Sequence, residues 1–213
     1  MTSISRINTR EHWASVNPVL LPGETAFESI THNQKVGDGR SKWNDLPYYG
    51  SAGYWGEISD NADQTAASAD TPQSVQFRQA NLDLRGVKVI SGTQITVDHP
   101  GVYTFTFNMS VSNNDSQIHD IHFWLRKNNQ GSAGDVEKTD ARFSIVESHG
   151  GEPGNALAAL HHTLVLGAGD YIELVFAVSN TNVYLRAGAA QTSPYAHPSV
   201  PSAYANVVQV ASA

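Results

Sequence analysis

Along residues 102–111 apolar and polar side chains alternate one for one. Tyr103, Phe105, Phe107, Met109 and Val111 fall on one face of an extended chain, with Thr104, Thr106, Asn108 and Ser110 on the other. Successive side chains of a strand point to opposite sides, so this pattern predicts a half-buried strand. After the turn residues Asn113-Asn114-Asp115, Ile121, Phe123 and Leu125 continue one face and Asp120, His122, Trp124 and Arg126 the other. Residues 155–166 are ambiguous: Ala156 to His161 suit a helix by propensity, whereas Ala158, Leu160, His162, Leu164 and Leu166 alternate. The alternation predicts a strand. Gly167-Ala168-Gly169-Asp170 then turns the chain into a further strand over residues 171–179. Strands at roughly ten-residue spacing, separated by turns, predict an all-β class: an antiparallel sandwich or jelly roll.

Two strands are apolar on both faces. In the first, Ile172, Leu174, Phe176 and Val178 are opposed by Tyr171, Val175 and Ala177. In the second, Tyr204, Val208 and Val210 are opposed by Ala205 and Val207. An antiparallel sheet of a monomer commonly wets one face. The second set in each strand, Tyr171, Val175, Ala177, Ala205 and Val207, is therefore expected to pack against another subunit. Coverage by a loop of the same chain is the alternative.

Residues 1–50 differ in character. They hold two of the four tryptophans and a dense set of turn residues, including Pro22-Gly23 and Gly37-Asp38-Gly39. A short helix is expected from about Arg10 to Ser15, with Thr9 as its N-cap, Glu11 in the first turn and Pro18 helping to end it. A piece this small is marginal alone, which points to oligomerisation. Residues 60–73 are polar and unpatterned, either a linker or an ordered loop of the second domain. The expected division is a module at 1–50 and a sandwich at 51–213.

Composition narrows the functional classes. Acids outnumber bases 20 to 13, for a net charge of −7, and there is no cysteine. Nucleic-acid binding is not expected without a basic stripe, and neither a disulfide framework nor a thiol nucleophile is available. No apolar run is long enough to insert in a membrane, and residues 1–6 lack the apolar stretch of a secretory signal.

Specific strings add two resemblances. Asn17-Pro-Val-Leu20, Gly23-Glu24, Phe27-Glu28, Lys35-Val-Gly-Asp-Gly39, Trp43 and Leu46-Pro-Tyr48 resemble the N-terminal module of bacteriophage fibre proteins of the major tropism determinant type. The resemblance implies a β-prism-like, trimeric module, with Gly23, Glu24, Lys35, Gly37, Asp38, Gly39 and Trp43 as its signature. From the residues themselves, Gly37 and Gly39 permit a tight turn with positive φ, and Asp38 can bond its own turn backbone. Further on, Gly101-Val-Tyr103-Thr-Phe105 and Leu166-Gly-Ala-Gly169-Asp170-Tyr-Ile-Glu-Leu174 resemble the jelly roll shared by tumour necrosis factor and the globular head of complement component one q. Similar domains occur in cyanophage structural proteins. Their signature positions are Gly101, Tyr103, Phe105, Leu166, Gly169, Asp170 and Leu174, and the implied assembly is a homotrimer.

Reactive constellations are sparse. His119 and His122, like His161 and His162, face opposite sides of a strand, so neither pair converges on a metal; ligation across a trimer axis by His161 or His162 stays open. Asp115, Asp120, Asp135, Glu137 and Asp140 lack the dense loop pattern of a calcium site. No nucleophile elbow or phosphate-binding glycine loop is present. The expectation is therefore a non-enzymatic chain with no cofactor and no metal. His122, Trp124 and Arg126 form a candidate ligand platform, with burial against residues 135–147 as the alternative. Tyr195, His197 and their neighbouring prolines mark a long exposed loop.

Together these readings predict a homotrimeric bacteriophage structural protein on the virion surface, as a short fibre or capsid decoration. Its partners would be other virion proteins of capsid or tail and a host surface glycan or protein. The alternative is a capsid cement protein with a purely stabilising role.

Overall fold

The computed structural model describes residues 5–30, 33–49, 53–80, 84–129 and 131–211, and the chain divides into two compact units, Met1–Gly53 and Tyr54–Ala213.

In the first unit β1 (Ser5–Asn8) leads into helix α1 (Arg10–Val16), followed by β2 (Thr25–Glu28), β3 (Gln34–Val36), a 3-10 turn at Trp43–Asp45 and β4 (Tyr48–Tyr49). The Thr9 hydroxyl caps α1 by accepting from the His12 amide at 3.3 Å, and Asn17 ends it in the left-handed region. The helix is the crossover that lets β1 run parallel to β2; β2–β3 and β3–β4 pair antiparallel, the latter across a connection that contains the 3-10 turn. Trp13, Leu20, Ala26, Trp43 and Leu46 form a small core, in which the Trp13 and Trp43 rings stack at 6.3 Å.

The second unit contains β5 (Trp55–Asp60), β6 (Gln64–Thr65), β7 (Gln73–Ser74), β8 (Gln79–Ala80), β9 (Val87–Ile90), β10 (Gln94–Val97), β11 (Gly101–Asn113), β12 (His119–Lys127), β13 (Ala141–Ile145), β14 (Gly154–Leu166), β15 (Tyr171–Val178), β16 (Val183–Leu185) and β17 (Ala203–Ala211). Their antiparallel pairings are nested: β12 with β13, β11 with β14, β10 with β15 and β5 with β17. A long two-stranded ribbon wound onto itself gives this order, and its strands fall into two sheets. The first sheet runs β14–β11–β17–β5–β8, with β16 and β6 continuing beside the end of β11; the second runs β13–β12–β15–β10–β9. This is a jelly-roll sandwich. The ambiguous residues 155–166 are strand β14, in register with β11 from Gly101↔Leu166 to Asn113↔Gly154. The polar stretch 60–73 belongs to the sandwich, because Gln64–Thr65 pairs with β16 and Gln73–Ser74 with β15.

The core lies between the sheets. Tyr103, Phe105, Phe107 and Met109 meet Ile121, Phe123, Leu125, Leu174 and Phe176 there. The alternation of β11 and β12 thus sorts as expected. That of β17 is reversed: Ala205 and Val207 point into the core, fully buried, while Val208 and Val210 point out. The register explains the reversal, since Ala205 sits beside Phe107 and Val207 beside Phe105. Large rings on β11 leave room only for small neighbours. Ala205 and Val207 are therefore unavailable to a second subunit. Val175 does lie on the outer side of β15, but it too is fully buried within the single chain, so coverage from within replaces the expected subunit contact. Tyr171 and Ala177, on the same side, are half-buried.

Candidate functional site

Of the signature residues of the first unit, Glu24, Lys35, Gly37 and Trp43 are buried, whereas Gly23, Asp38 and Gly39 lie in exposed turns. The Gly23 backbone has φ +78°, and the neighbouring Glu24 carboxylate is buried, accepting from the Leu21 amide at 2.8 Å and pairing with Arg6 at 2.6 Å. Lys35 lies over the rings of Trp43 and Tyr48, with Nζ 4.2 and 4.6 Å from their centroids, and donates to the Trp43 carbonyl at 2.8 Å. Burial pulls the Lys35 amine down to about 8, the field of Glu28 only partly opposing it. Asp38 accepts from the amides of Arg40 and Ser41 at 2.8 and 2.7 Å. The bond from the Ser41 hydroxyl, followed by those two amide bonds, holds the Asp38 carboxyl down at about 2. Gly39 has the positive φ expected of it, +77°, but Gly37 does not. Gly37 is required for space instead, because a Cβ there would collide with the Leu21 carbonyl and the Leu20 side chain. These groups hold a turn and a small core.

The jelly-roll signature is likewise structural. Gly101 opens β11 where a Cβ would strike Gln209 and the Ala211 carbonyl. Tyr103, Phe105, Leu166 and Leu174 are core residues. The Tyr103 hydroxyl donates to the His99 carbonyl at 2.8 Å, and burial pushes its pKa up to about 12. Gly169 turns with φ +83°. Asp170 bonds Asn128 at 2.6 Å and pairs with Lys127 at 2.8 Å. Burial acts to raise the Asp170 carboxyl, but the combined bonds from Lys127, Asn128 and the Gly167 amide leave it below its ordinary value.

The structure places His122, Trp124 and Arg126 together on the outer side of the second sheet, and each meets an acid from the strand-edge segment beside it. Arg126 pairs with Asp135 at 2.5 Å, the Trp124 indole donates to the same carboxylate at 2.8 Å, and His122 lies 3.1 Å from Asp140. The Arg126 guanidinium stands 5.7 Å from the Trp124 ring. The three side chains are thus brought together, but their polar ends are spent on Asp135 and Asp140. Behind them Glu173 is buried at 1% exposure, taking a bond from the Thr93 hydroxyl at 2.5 Å. The remaining acids are dispersed. Asp115 engages His119 and Asn182, and Asp120 engages Ser144. Among the described residues no group of three or more His, Asp or Glu side chains gathers to hold a metal.

The outer side of the first sheet is different. It carries Val102, Thr104, Thr106, Asn108 and Ser110 of β11, flanked in register by Val165, Thr163, His161, Ala159 and Leu157 of β14. On the other flank lie Val208, Asn206 and Tyr204 of β17. None of these positions is Asp, Glu, Lys or Arg. Val165 is 66% exposed, Val210 58% and Val208 37%. The Thr106 hydroxyl lies 3.2 Å from His161 Nδ1, whereas His162 turns to the core side. The sequence pattern put Val208 and Val210 on the core side, so this surface was missed. The signal that finds it is the absence of ionised residues along β11 and β14.

No protein-family model matches the chain, and no curated protein matches it in sequence. Among solved structures, the Eiger TNF structure from S. frugiperda is similar with a TM-score of 0.46 at 14% identity, over 76% of this chain and 96% of that one. That likeness concerns the jelly-roll fold alone, and the fold assignment rests on the nested strand pairing described above.

Proposed function

We propose that the chain is a non-enzymatic structural protein of a bacteriophage virion, a homotrimeric short fibre or capsid decoration on the particle surface. The observation that carries the assembly is the outer side of β11, β14 and β17, free of Asp, Glu, Lys and Arg, where Val165, Val208 and Val210 lie exposed around threonines and alanine. A permanently wet sheet face is usually polar and charged; this one is suited to burial by two further copies of the same chain. The interface assigned here is therefore the β11–β14–β17 surface, in place of the buried residues of β15 and β17. The first unit supports association separately, since Ile7, Val16, Leu21 and Tyr49 are all more than half exposed on a piece with a five-residue core. The virion assignment rests on the sequence resemblance of residues 17–48 to the fibre module.

Sedimentation equilibrium of the purified chain tests the assembly: the expected mass is three chains, and a monomer at micromolar concentration overturns it. Cryo-electron microscopy of intact particles tests the location. Density on head, tail or fibre supports a virion component, and its absence from purified particles rejects that role. Broad contact with capsid proteins and no outward loops would identify the stabilising cement role instead of the fibre.

A further inference from the structure

A cavity of about 420 Å³ opens on the first sheet, at the end opposite Val165 and Val208. Its floor is Ser110 and Ser112 of β11 with Leu157 of β14, and its wall is Arg186 to Gly188 together with Val200. The Gly188–Val200 backbone pair holds that wall closed at the base of the exposed loop carrying Tyr195. The hydroxyl protons of the floor are already spent. Ser112 donates to the Asn155 side chain at 2.5 Å and Ser110 to the Pro201 carbonyl at 3.2 Å. Ser112 is buried at 1% exposure and only closes the floor, whereas the partly exposed Ser110 oxygen keeps lone pairs and can accept from the cavity. Leu157, 66% exposed, and Val200, 44% exposed, supply apolar flanks.

Arg186 is the unusual member. Its backbone amide donates to the Ser110 carbonyl at 2.8 Å, yet among the described residues no acid or carbonyl engages its guanidinium. In a chain with 20 acids for 13 bases, an exposed arginine with no carboxylate partner among the described residues is available to an outside anion. A planar guanidinium matches a carboxylate through two parallel bonds. A ligand that also donates a hydroxyl to Ser110 and lays a ring face on Leu157 and Val200 uses the cavity. We propose that this groove binds the carboxylate-bearing sugar of an acidic polysaccharide, with Arg186 on the carboxylate. The proposal needs the Ser110–Leu157 end of that face to stay open, with subunit contact confined to the end around Val165, Val208 and Val210, and it does not depend on a virion location.

Saturation-transfer NMR on the full chain, titrated separately with D-glucuronate and D-glucose, and displacement of the glucuronate signal by inorganic phosphate, test it. Glucuronate is expected to bind saturably, with glucose and phosphate each about tenfold weaker or more. Arg186→Gln should lower glucuronate affinity by about tenfold or more, and Arg186→Lys by less, because lysine keeps the charge but loses the fork. Circular dichroism matching the parent verifies that both variants fold. No saturable glucuronate signal, or one unchanged in Arg186→Gln, overturns the site. Phosphate binding as tightly as glucuronate overturns the sugar assignment.

Discussion

The two sheets of the jelly roll share one core but present unlike outer sides. The second sheet carries Lys88, His122, Arg126, Arg142 and Glu173 on its outer side, and much of that charge is answered within the chain, by Asp98 for Lys88, Asp140 for His122 and Asp135 for Arg126. The first sheet carries no Asp, Glu, Lys or Arg on the outer sides of β11, β14 and β17. Glu57 on the adjoining β5 is bonded by the Tyr204 hydroxyl. A sheet facing water needs polar, soluble positions, whereas a sheet facing another protein must avoid charges that would be buried unpaired. On the proposed assembly, the contrast separates a surface completed by its own chain from one left for another, and it moves the proposed interface to plain threonines, valines and one histidine.

Placing charge on the first sheet is expected to have the largest effect. Val208→Asp with Val210→Asp puts two carboxylates per chain into the proposed interface, and six into a trimer. Association should weaken by at least about a hundredfold, on the order of 3 kcal/mol. Sedimentation should then report single chains, with unchanged circular dichroism. Lys88→Glu, the matched change on the second sheet, should leave the mass at three chains. If both variants sediment alike, the two faces do not differ in role.

A change within the second sheet should act on stability instead of mass. Asp135→Ala removes one partner of Arg126, whose side chain is only 8% exposed, and the acceptor of the Trp124 indole. Because Asp135 itself is 35% exposed, water recovers part of the loss, and the expected cost is about 2 kcal/mol in urea unfolding. Thr104→Ala on the first sheet, where no such network exists, should stay within about 0.5 kcal/mol per chain when measured in the Val208→Asp, Val210→Asp background. A cost for Asp135→Ala no larger than that would mean the acid segment contributes nothing to the second sheet.

These expectations also show what was legible from residues alone. The strands β11 and β12 could be read because their aromatic side chains alternate with threonine, asparagine or charge. One side of each was unambiguous. In β17 both sides are apolar, and hydrophobicity favoured the larger Tyr204, Val208 and Val210 for the core. The choice is made by the neighbouring strand: Phe105 and Phe107 already fill the interior, so Ala205 and Val207 face them. That is a relation between residues about a hundred positions apart, and no local pattern contains it. Gly37 was misassigned in the same way, its constraint being the distant Leu20 and Leu21 rather than its own φ. The groove of Arg186 was invisible for a third reason: its walls come from β11, β14 and the segment after β16, which only the fold brings together.

The smallest expected effect separates the two sides of the first sheet itself. His161 faces out, while His162 faces the core, and burial foremost, with the neighbouring His161 charge adding, holds the His162 pKa below 6.5. The folded chain then binds a proton at His162 less readily than the unfolded chain does. Stability from this group is fully present above pH 6.5 and is lost as pH falls through that value toward the lower folded pKa. Replacing His162 by phenylalanine should flatten the loss of stability between pH 7.5 and 5.5, measured by urea midpoints in the Val208→Asp, Val210→Asp background so that assembly does not contribute. His161→Gln should retain most of that loss, since it removes a neighbouring charge and leaves the buried ring in place. A pH dependence carried by His161 instead would reverse the two sides of β14, and with them the assignment of the uncharged face as the surface left for other chains.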